Sequence, residues 1–177
     1  MRSYFNKILR FTCFFTLILC VSATTSVDQQ SVKVKSAYLI NFVRFINWPE
    51  SKKEKVSLGF LGDNKLERYI IKTKSIAEKR ARLKISVLHF DNPDSISNCD
   101  ILYTENTKLL KKSPELVQYC ADNNILIVTS RTIRFPINSC INFLIVNSKL
   151  RFEINNELLK RNKLKASAQL LKLSYKR

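Results

Sequence analysis

The stretch ILYTENTKLLKKSPELVQYCADNNILIVTS (Ile101–Ser130) predicts a strand, a helix and a second strand in succession, and this unit decides the fold. Ile101–Thr104 is short and apolar, and Ile125–Thr129 is apolar throughout, as is typical of parallel strands covered on both faces. Between them Ser113 can cap a helix and the proline that follows it suits the first helical position, so we expect a helix to about Asp122.

The same alternation precedes this unit. Val56–Leu61 and Arg82–Leu88 are predicted strands, because the first is a short apolar run and the second alternates apolar with polar residues. Gly62-Asp63-Asn64 turns the chain after the first of them, and a helix is predicted over Leu66–Thr73. Strands that alternate with helices indicate a mainly parallel α/β sheet flanked by helices, a Rossmann-like fold.

The pattern changes towards the carboxyl end. Ile141–Val146 and Leu150–Ile154 are predicted to form an antiparallel hairpin around Asn147-Ser148-Lys149. The tail Glu157–Leu173 is predicted to be helical. The expected architecture is therefore the parallel sheet with an added carboxyl-terminal hairpin and helix.

Before the first strand, a helix is predicted over Val32–Trp48, where apolar residues recur at three- and four-residue spacing and the following proline ends the helix. The helix carries the aromatic residues Tyr38, Phe42, Phe45 and Trp48. Phe42 and Phe45 are interpreted first as core residues, and the roles of Tyr38 and Trp48 stay open. Because aromatic residues often anchor interfaces, all four are also candidates for binding a partner.

The amino terminus predicts a secretory signal peptide over residues 1–23. Arg2, Lys7 and Arg10 precede the uncharged apolar stretch Phe11–Val21, and the small residues around Ala23 predict cleavage after it. An uncleaved anchor is the alternative, although the apolar stretch is shorter than the roughly 20 residues that span a membrane. We expect a flexible lead-in over residues 24–33 and a single domain over residues 34–177 in the periplasm.

The chain is strongly basic, with a formal net charge of +17. Removal of the signal would take away three basic and no acidic residues and leave +14. Such a charge attracts anionic partners. The lysines are spread along the chain with one dense run, Lys79–Arg82, and no interleaved aromatic stripe, which disfavours nucleic acid. An anionic membrane surface and an anionic polymer of the cell envelope are the remaining candidate partners.

Residues for catalysis are scarce. The chain has one histidine, His89, and only two glycines, so a phosphate-binding glycine loop is disfavoured. His89 is interpreted as a partly buried, hydrogen-bonded residue at a strand end. No metal motif, nucleophile elbow or Cys-x-x-Cys pair is present, so neither an enzyme nor a cofactor is predicted. Gly62 and Asp63 follow a strand and are candidates to bind a small ligand, because open α/β sheets bind ligands at the carboxyl ends of their strands.

Five cysteines are present, of which two lie in the predicted signal. Cys99 precedes a predicted strand, and Cys120 lies near the end of the helix that follows. Because that helix runs back antiparallel to the strand, both are expected at one edge of the sheet, where a disulfide is attainable. A bridge there would stabilise by about 3 kcal/mol in the loop-entropy model. Two reduced, buried thiols are the alternative, and Cys140 is expected to be free or to be the other partner.

Several segments of the chain occur in a fixed order: AYLINFVRFINWP (Ala37–Pro49), LGFLGDNKL (Leu58–Leu66), NCDILYT (Asn98–Thr104), ILIVTS (Ile125–Ser130), INFLIVNSKLRFEIN (Ile141–Asn155) and KLKASAQLLKLS (Lys163–Ser174). Together they resemble the YfiR family of periplasmic proteins over about Val34 to Ser174. The family usually has a glycine pair before the Ile-Asn-Phe strand, where this chain has Asn138 and Ser139. Serine tolerates positive φ poorly, so the turn there and any contact near it come into question.

The resemblance implies a regulatory role. Proteins of this kind repress a membrane diguanylate cyclase by binding its periplasmic region, and release of the cyclase raises cyclic-di-GMP and favours biofilm formation. The resemblance also implies a homodimer and a disulfide linked to stability. A periplasmic small-molecule binding protein is the alternative function, and a hydrolytic or redox enzyme is disfavoured by the residues present.

Overall fold

The computed structural model describes residues 29–49, 54–130 and 138–176. The predicted signal peptide and its cleavage site lie outside the described residues. The first helix, α1, is described over residues 29–45, so residues 29–33 are helical and the prediction of a flexible lead-in over residues 24–33 is wrong for that part. The remaining helices are α2 (Lys65–Ala81), α3 (Thr107–Lys112), α4 (Pro114–Asp122), α5 (Asn156–Arg161) and α6 (Ala168–Leu173).

The main sheet has the strand order β3-β2-β4-β5-β6-β7, and all its neighbouring strands are parallel except the last pair. Its strands are β2 (Lys55–Leu61), β3 (Lys84–Phe90), β4 (Ile101–Thr104), β5 (Leu126–Ser130), β6 (Ile141–Val146) and β7 (Lys149–Ile154). The predicted mainly parallel, Rossmann-like α/β fold is confirmed.

Helices cover the sheet on both faces. The chain leaves β2 through α2 to reach β3 on one side, and leaves β4 through α3 and α4 to reach β5 on the other side. Because such crossovers are right-handed, two that run in opposite directions place α2 and α4 on opposite faces. Helix α1 lies beside α2, since residues of both helices line one groove.

The core beneath α1 and α2 is aromatic. Register places Phe60, Tyr103, Val128 and Ile141 side by side on neighbouring strands, all of them fully buried. Phe42 of α1 packs on this face, and its ring centroid lies 5.8 Å from that of Phe143 and 5.5 Å from that of Phe152. Burial of these rings fixes α1 against the sheet.

The predicted hairpin is confirmed. Strands β6 and β7 pair antiparallel from Ile141↔Ile154 to Val146↔Lys149, so Lys149 belongs to the strand instead of the turn. Asn147 and Ser148 have φ values of +49° and +59°. Two successive left-handed residues form the tight turn whose twist matches that of the flanking strands.

The prediction of one helix over Glu157–Leu173 is wrong. Helix α5 ends at Arg161, and Lys163 follows with φ +52°. A short strand, β8 (Lys165–Ala166), then pairs antiparallel with β1 (Ile46–Asn47), and Ser167 caps α6. The same pairing ends α1 at residue 45, three residues before the predicted end at Trp48.

Two further differences concern helices. Helix α2 continues to Ala81, eight residues beyond the predicted end, and so includes most of the basic run that begins at Lys79. It starts at a capping residue, Asn64, whose side chain accepts a hydrogen bond from the Glu67 backbone N–H at 2.8 Å. The short helix α3, capped by Asn106, was not predicted.

Candidate functional site

A groove of about 460 Å³ lies between α1 and α2. Both helices present small or aliphatic side chains to it, among them Ala37, Ile40 and Ala77. Ile76 also lines the groove, and 56% of its surface is exposed. An exposed isoleucine beside small residues offers a place where an apolar side chain of a partner can pack.

The rim of this groove is basic. Lys33, Arg44 and Arg80 line it, and no aspartate or glutamate does among the residues that the structure describes. Asn41 and Thr73 add polar side chains. The groove therefore suits a segment with apolar anchors and acidic flanks, the pattern by which amphipathic segments dock between helices.

The structure corrects the predicted aromatic binding surface at one residue, Phe42, and leaves Tyr38, Phe45 and Trp48 as a prediction. Phe42 is fully buried, so it cannot contact a partner and belongs to the core. Tyr38, Phe45 and Trp48 are half-buried and pack against the same core. The Tyr38 ring centroid lies 5.2 Å from that of Phe152, and Trp48 Nε1 donates to the Asn124 carbonyl oxygen at 3.1 Å. The groove is lined by other residues of α1, among them Ala37 and Ile40, and by none of these four aromatic residues.

Gly62 and Asp63 stand where strand order reverses, between β2 and β4. A cleft of about 280 Å³ lies at this switch point, lined by Asp63 and, among others, Lys35, Arg68 and Glu105. Gly62 has φ +78°, which only glycine adopts easily, so its role is first to turn the chain. Asp63 is exposed and forms an ion pair with Arg68.

The sequence did not predict the hydrogen-bonded group of polar and charged side chains beside this cleft. The Tyr103 hydroxyl donates to Glu105 Oε1 at 2.7 Å, and Lys35 Nζ approaches the same oxygen at 3.3 Å. Burial, followed by the negative charge of Glu105, raises the pKa of Tyr103 far above its ordinary value. Tyr103 is therefore a fixed hydrogen-bond donor. Lys35 and Glu105 are 70 residues apart, so no local pattern could have paired them.

His89 lies near the end of β3 and is hydrogen-bonded as predicted, although its side chain is 41% exposed. Its Nδ1 lies 2.8 Å from Glu67 Oε2 and its Nε2 lies 3.2 Å from Asp91 Oδ1. The hydrogen bond to Glu67, followed by that to Asp91, raises the pKa of His89 above 6.5. The imidazole ring thus links α2, through Glu67, to the end of β3.

We expect the imidazole resonances of His89 to titrate with a pKa above 6.5 in an NMR experiment. The assignment of these resonances is unambiguous because the chain has no other histidine. Glu67→Gln should lower this pKa more than Asp91→Asn does, because Glu67 is the larger cause. Since the folded pKa is raised, the stabilisation is complete below about 6.5 and is lost as the pH rises through the folded pKa. An unshifted pKa in the wild-type chain would contradict the bridge.

The three described cysteines are free and buried. Burial raises the pKa of Cys99 and of Cys140 to about 12 each. Burial also raises the pKa of Cys120, and the charges of Cys99 and Cys140 raise it further, which places Cys120 within electrostatic range of both. Cys99 fills space above Gly59, where an added Cβ would lie 3.1 Å from its Sγ. The Cys99–Cys120 bridge stays a prediction.

Asn138 and Ser139 take no left-handed conformation, so neither position requires glycine. Asn138 Nδ2 donates to the Leu110 carbonyl oxygen at 3.1 Å, and Ser139 Oγ donates to the Ile141 carbonyl oxygen at 2.6 Å. The Ser139 hydroxyl also lies 2.8 Å from Thr129 Oγ1 in a buried polar cluster. Both side chains are thus used in holding the start of β6.

Across residues 29–49, 54–130 and 138–176, no three or more His, Cys, Asp and Glu side chains gather in a way that could hold a metal ion. Among those same residues, no helix combines the length and the apolar character needed to cross a membrane.

The chain matches the model of a known protein family. The model of the YfiR/HmsC-like family matches residues 32–175. No curated protein matches the chain. Among solved structures, the chain is similar to an ABC domain in complex with L-Trp from Streptococcus pneumoniae, at 14% identity and a TM-score of 0.48. That match covers 67% of this chain and 55% of the other, so the chain spans about half the length of that protein.

Proposed function

Because the chain belongs to the YfiR/HmsC-like family, we propose that it is a periplasmic regulator that represses a membrane-bound diguanylate cyclase by binding the periplasmic region of the cyclase. The observation that carries this proposal is the family match, which runs from the first turns of α1 to Tyr175, beyond the end of α6. The proposed regulator acts by binding and performs no reaction of its own.

The groove between α1 and α2 is the surface we assign to this contact. Ile76 supplies an exposed apolar anchor, Ile40 the wall beside it, and Lys33, Arg44 and Arg80 a basic rim. An acidic-flanked apolar segment of the cyclase would bury the isoleucine and pair with the rim. Charged rims of this kind speed association and select partners more than they add affinity.

Repression by binding requires a difference in affinity between two states of the cyclase. A regulator that bound the active and inactive states equally would shift nothing. A tenfold reduction of the ratio of active to inactive cyclase requires about tenfold tighter binding to the inactive state. The groove would therefore fit the segment as it is placed in the inactive cyclase.

We expect deletion of the gene to raise cyclic-di-GMP and the wild-type gene to restore the low level. Ile76→Asp should fail to restore it, because a charge in the groove blocks apolar packing. Ile145→Asp is the matched control, since Ile145 is 47% exposed and lies on the hairpin, away from the groove. The measurements are cellular cyclic-di-GMP and co-purification with a cyclase encoded beside the gene.

Three outcomes would each contradict part of this proposal. Cyclic-di-GMP that is unchanged by deletion, with no cyclase recovered, would remove the regulatory role. Equal loss of repression in both aspartate variants would remove the groove as the contact. A folded protein found in the cytoplasm with residues 1–23 still attached would remove the periplasmic setting.

The cleft at the switch point favours a second candidate, a periplasmic small-molecule binding protein. Lys35 and Arg68 bring positive charge, and Glu105 and Asp63 negative charge, to the carboxyl ends of β2 and β4. Ligands bind open parallel sheets at such positions. A thermal-shift screen separates the two functions, because a ligand at a hundred times its Kd adds about 2.7 kcal/mol to the stability of the folded state.

A further inference from the structure

The outer face of α2 is a basic surface about 21 Å long, at 1.5 Å per residue. It consists of six exposed residues at three- and four-residue spacing on one side of the helix: Lys65, Arg68, Ile71, Lys72, Ser75 and Lys79. Ile71 is 55% exposed and is the one large apolar side chain among them. None of the six is acidic.

The acidic residues near this face point elsewhere. Glu67 binds His89, and Glu78 accepts a hydrogen bond from the Ile85 backbone N–H at 2.8 Å. Asp63 offsets the charge of Arg68. Lys72 and Lys79 form no ion pair with any residue that the structure describes. The middle of the outer face therefore keeps its positive charge.

The charge is asymmetric across the sheet. The described part of α1 together with α2 carries nine lysines and arginines and two glutamates. Helices α3 and α4, which connect β4 to β5 on the other side, together carry three lysines, one glutamate and one aspartate. Near a negatively charged surface this asymmetry turns the α2 side of the domain towards the surface.

We infer that the outer face of α2 binds an anionic membrane surface. Lys72 and Lys79, with Lys65 and Arg68, would lie against phospholipid headgroups, and Ile71 would enter the boundary between headgroups and acyl chains. A basic helix face with a shallow apolar anchor suits such a surface. Ile76 in the groove has Ala37, Ile40 and Ala77 beside it, whereas Ile71 stands among lysine, arginine and serine side chains and gives a protein partner no apolar centre. The domain would then approach the membrane with α2 facing it, whether or not a cyclase is present.

Flotation of the mature chain with vesicles tests this inference. We expect binding to vesicles of about one-third phosphatidylglycerol in phosphatidylcholine, and none to phosphatidylcholine alone, because each cation near an anionic surface strengthens binding about fivefold. The double variant Lys72→Gln/Lys79→Gln should bind about 25-fold more weakly by the same rule. Ile71→Ser should lose binding by a smaller factor that persists at high salt, where charge is screened.

Helix α3 provides the matched control. Lys108→Gln/Lys112→Gln removes the same charge from a helix that has three lysines but is only about 9 Å long. This variant should bind anionic vesicles like the wild type apart from a general charge effect of a few-fold. Equal weakening by both double variants would overturn the inference, because net charge would then explain the binding.

Two further outcomes would also overturn it. The first is failure of the wild-type chain to float with anionic vesicles while circular dichroism shows it folded. The second is loss of binding to a soluble acidic protein in Lys72→Gln/Lys79→Gln while no variant binds lipid, which would assign the face to a protein partner. Vesicles contain no cyclase, so the result is independent of the Ile76→Asp test of the proposed function.

Discussion

Replacing Phe42 with alanine is expected to lower the free energy of unfolding by about 3–5 kcal/mol, the range for removing a buried phenylalanine. The Phe42 ring is fully buried and stacks with Tyr38 and Phe143, with centroid distances of 6.1 and 5.8 Å, and meets Phe152 edge-on at 5.5 Å. Such aromatic pairs add to the burial itself. The alanine variant loses these contacts and leaves a cavity that rigid strands cannot close.

Phe45→Ala is the matched control for this prediction. Phe45 is on the same helix but half-buried, so its removal opens the site to water instead of leaving a cavity, and the loss should be clearly smaller. Urea unfolding of both variants, followed by circular dichroism, gives the comparison. Equal losses would show that Phe42 is not at the centre of the core.

This contrast also shows what the sequence could predict. Spacing placed Phe42 and Phe45 on one side of α1, but spacing does not say how deeply each is buried. Depth is decided by Phe143 and Phe152, which come from the hairpin about a hundred residues later. Strand β4, strand β6 and helix α4 were predicted with their observed bounds, because strand periodicity and a Ser-Pro helix start are local signals.

Two of the errors, at the end of the first helix and in the tail, share one cause, which is pairing between distant segments. Ile46 and Asn47 have a helical pattern but pair with Lys165 and Ala166, and this pairing breaks both the first helix and the tail. Local propensity is weak compared with such tertiary contacts. A turn residue with positive φ, Lys163, gives no warning in the sequence, because lysine is not typical of that conformation.

The candidate site, too, could be predicted only where a local sequence signal marks it. The predicted ligand residues Gly62 and Asp63 do lie at the switch point, because a turn after a buried strand marks the carboxyl edge of the sheet. The groove was missed because its lining alternates small, polar and basic residues on two helices that only folding brings together. The long basic face of α2 was missed because that helix was predicted to end at Thr73, before Lys79.

The second large effect is expected at the thiols. In the folded, reduced chain, Cys99 and Cys140 should react with a thiol reagent about a thousandfold more slowly than an exposed cysteine, because a pKa of about 12 leaves few thiolates. Unfolding in urea should restore the ordinary rate. The measurement is the rate of modification at pH 7, with and without denaturant. Rapid reaction of the folded chain would contradict the burial of these groups.

This protection decides when a disulfide can form. Thiolates attack during oxidation, so a bridge should form in the unfolded or partly folded chain and then be kept by folding. We expect the oxidised chain to be about 3 kcal/mol more stable than the reduced chain, because a Cys99–Cys120 bridge closes a loop of roughly 20 residues. Cys140→Ser should keep this gain and Cys99→Ser should lose it. The reverse pattern would assign the bridge to Cys120 and Cys140, which the position of Cys120 near both thiols also allows.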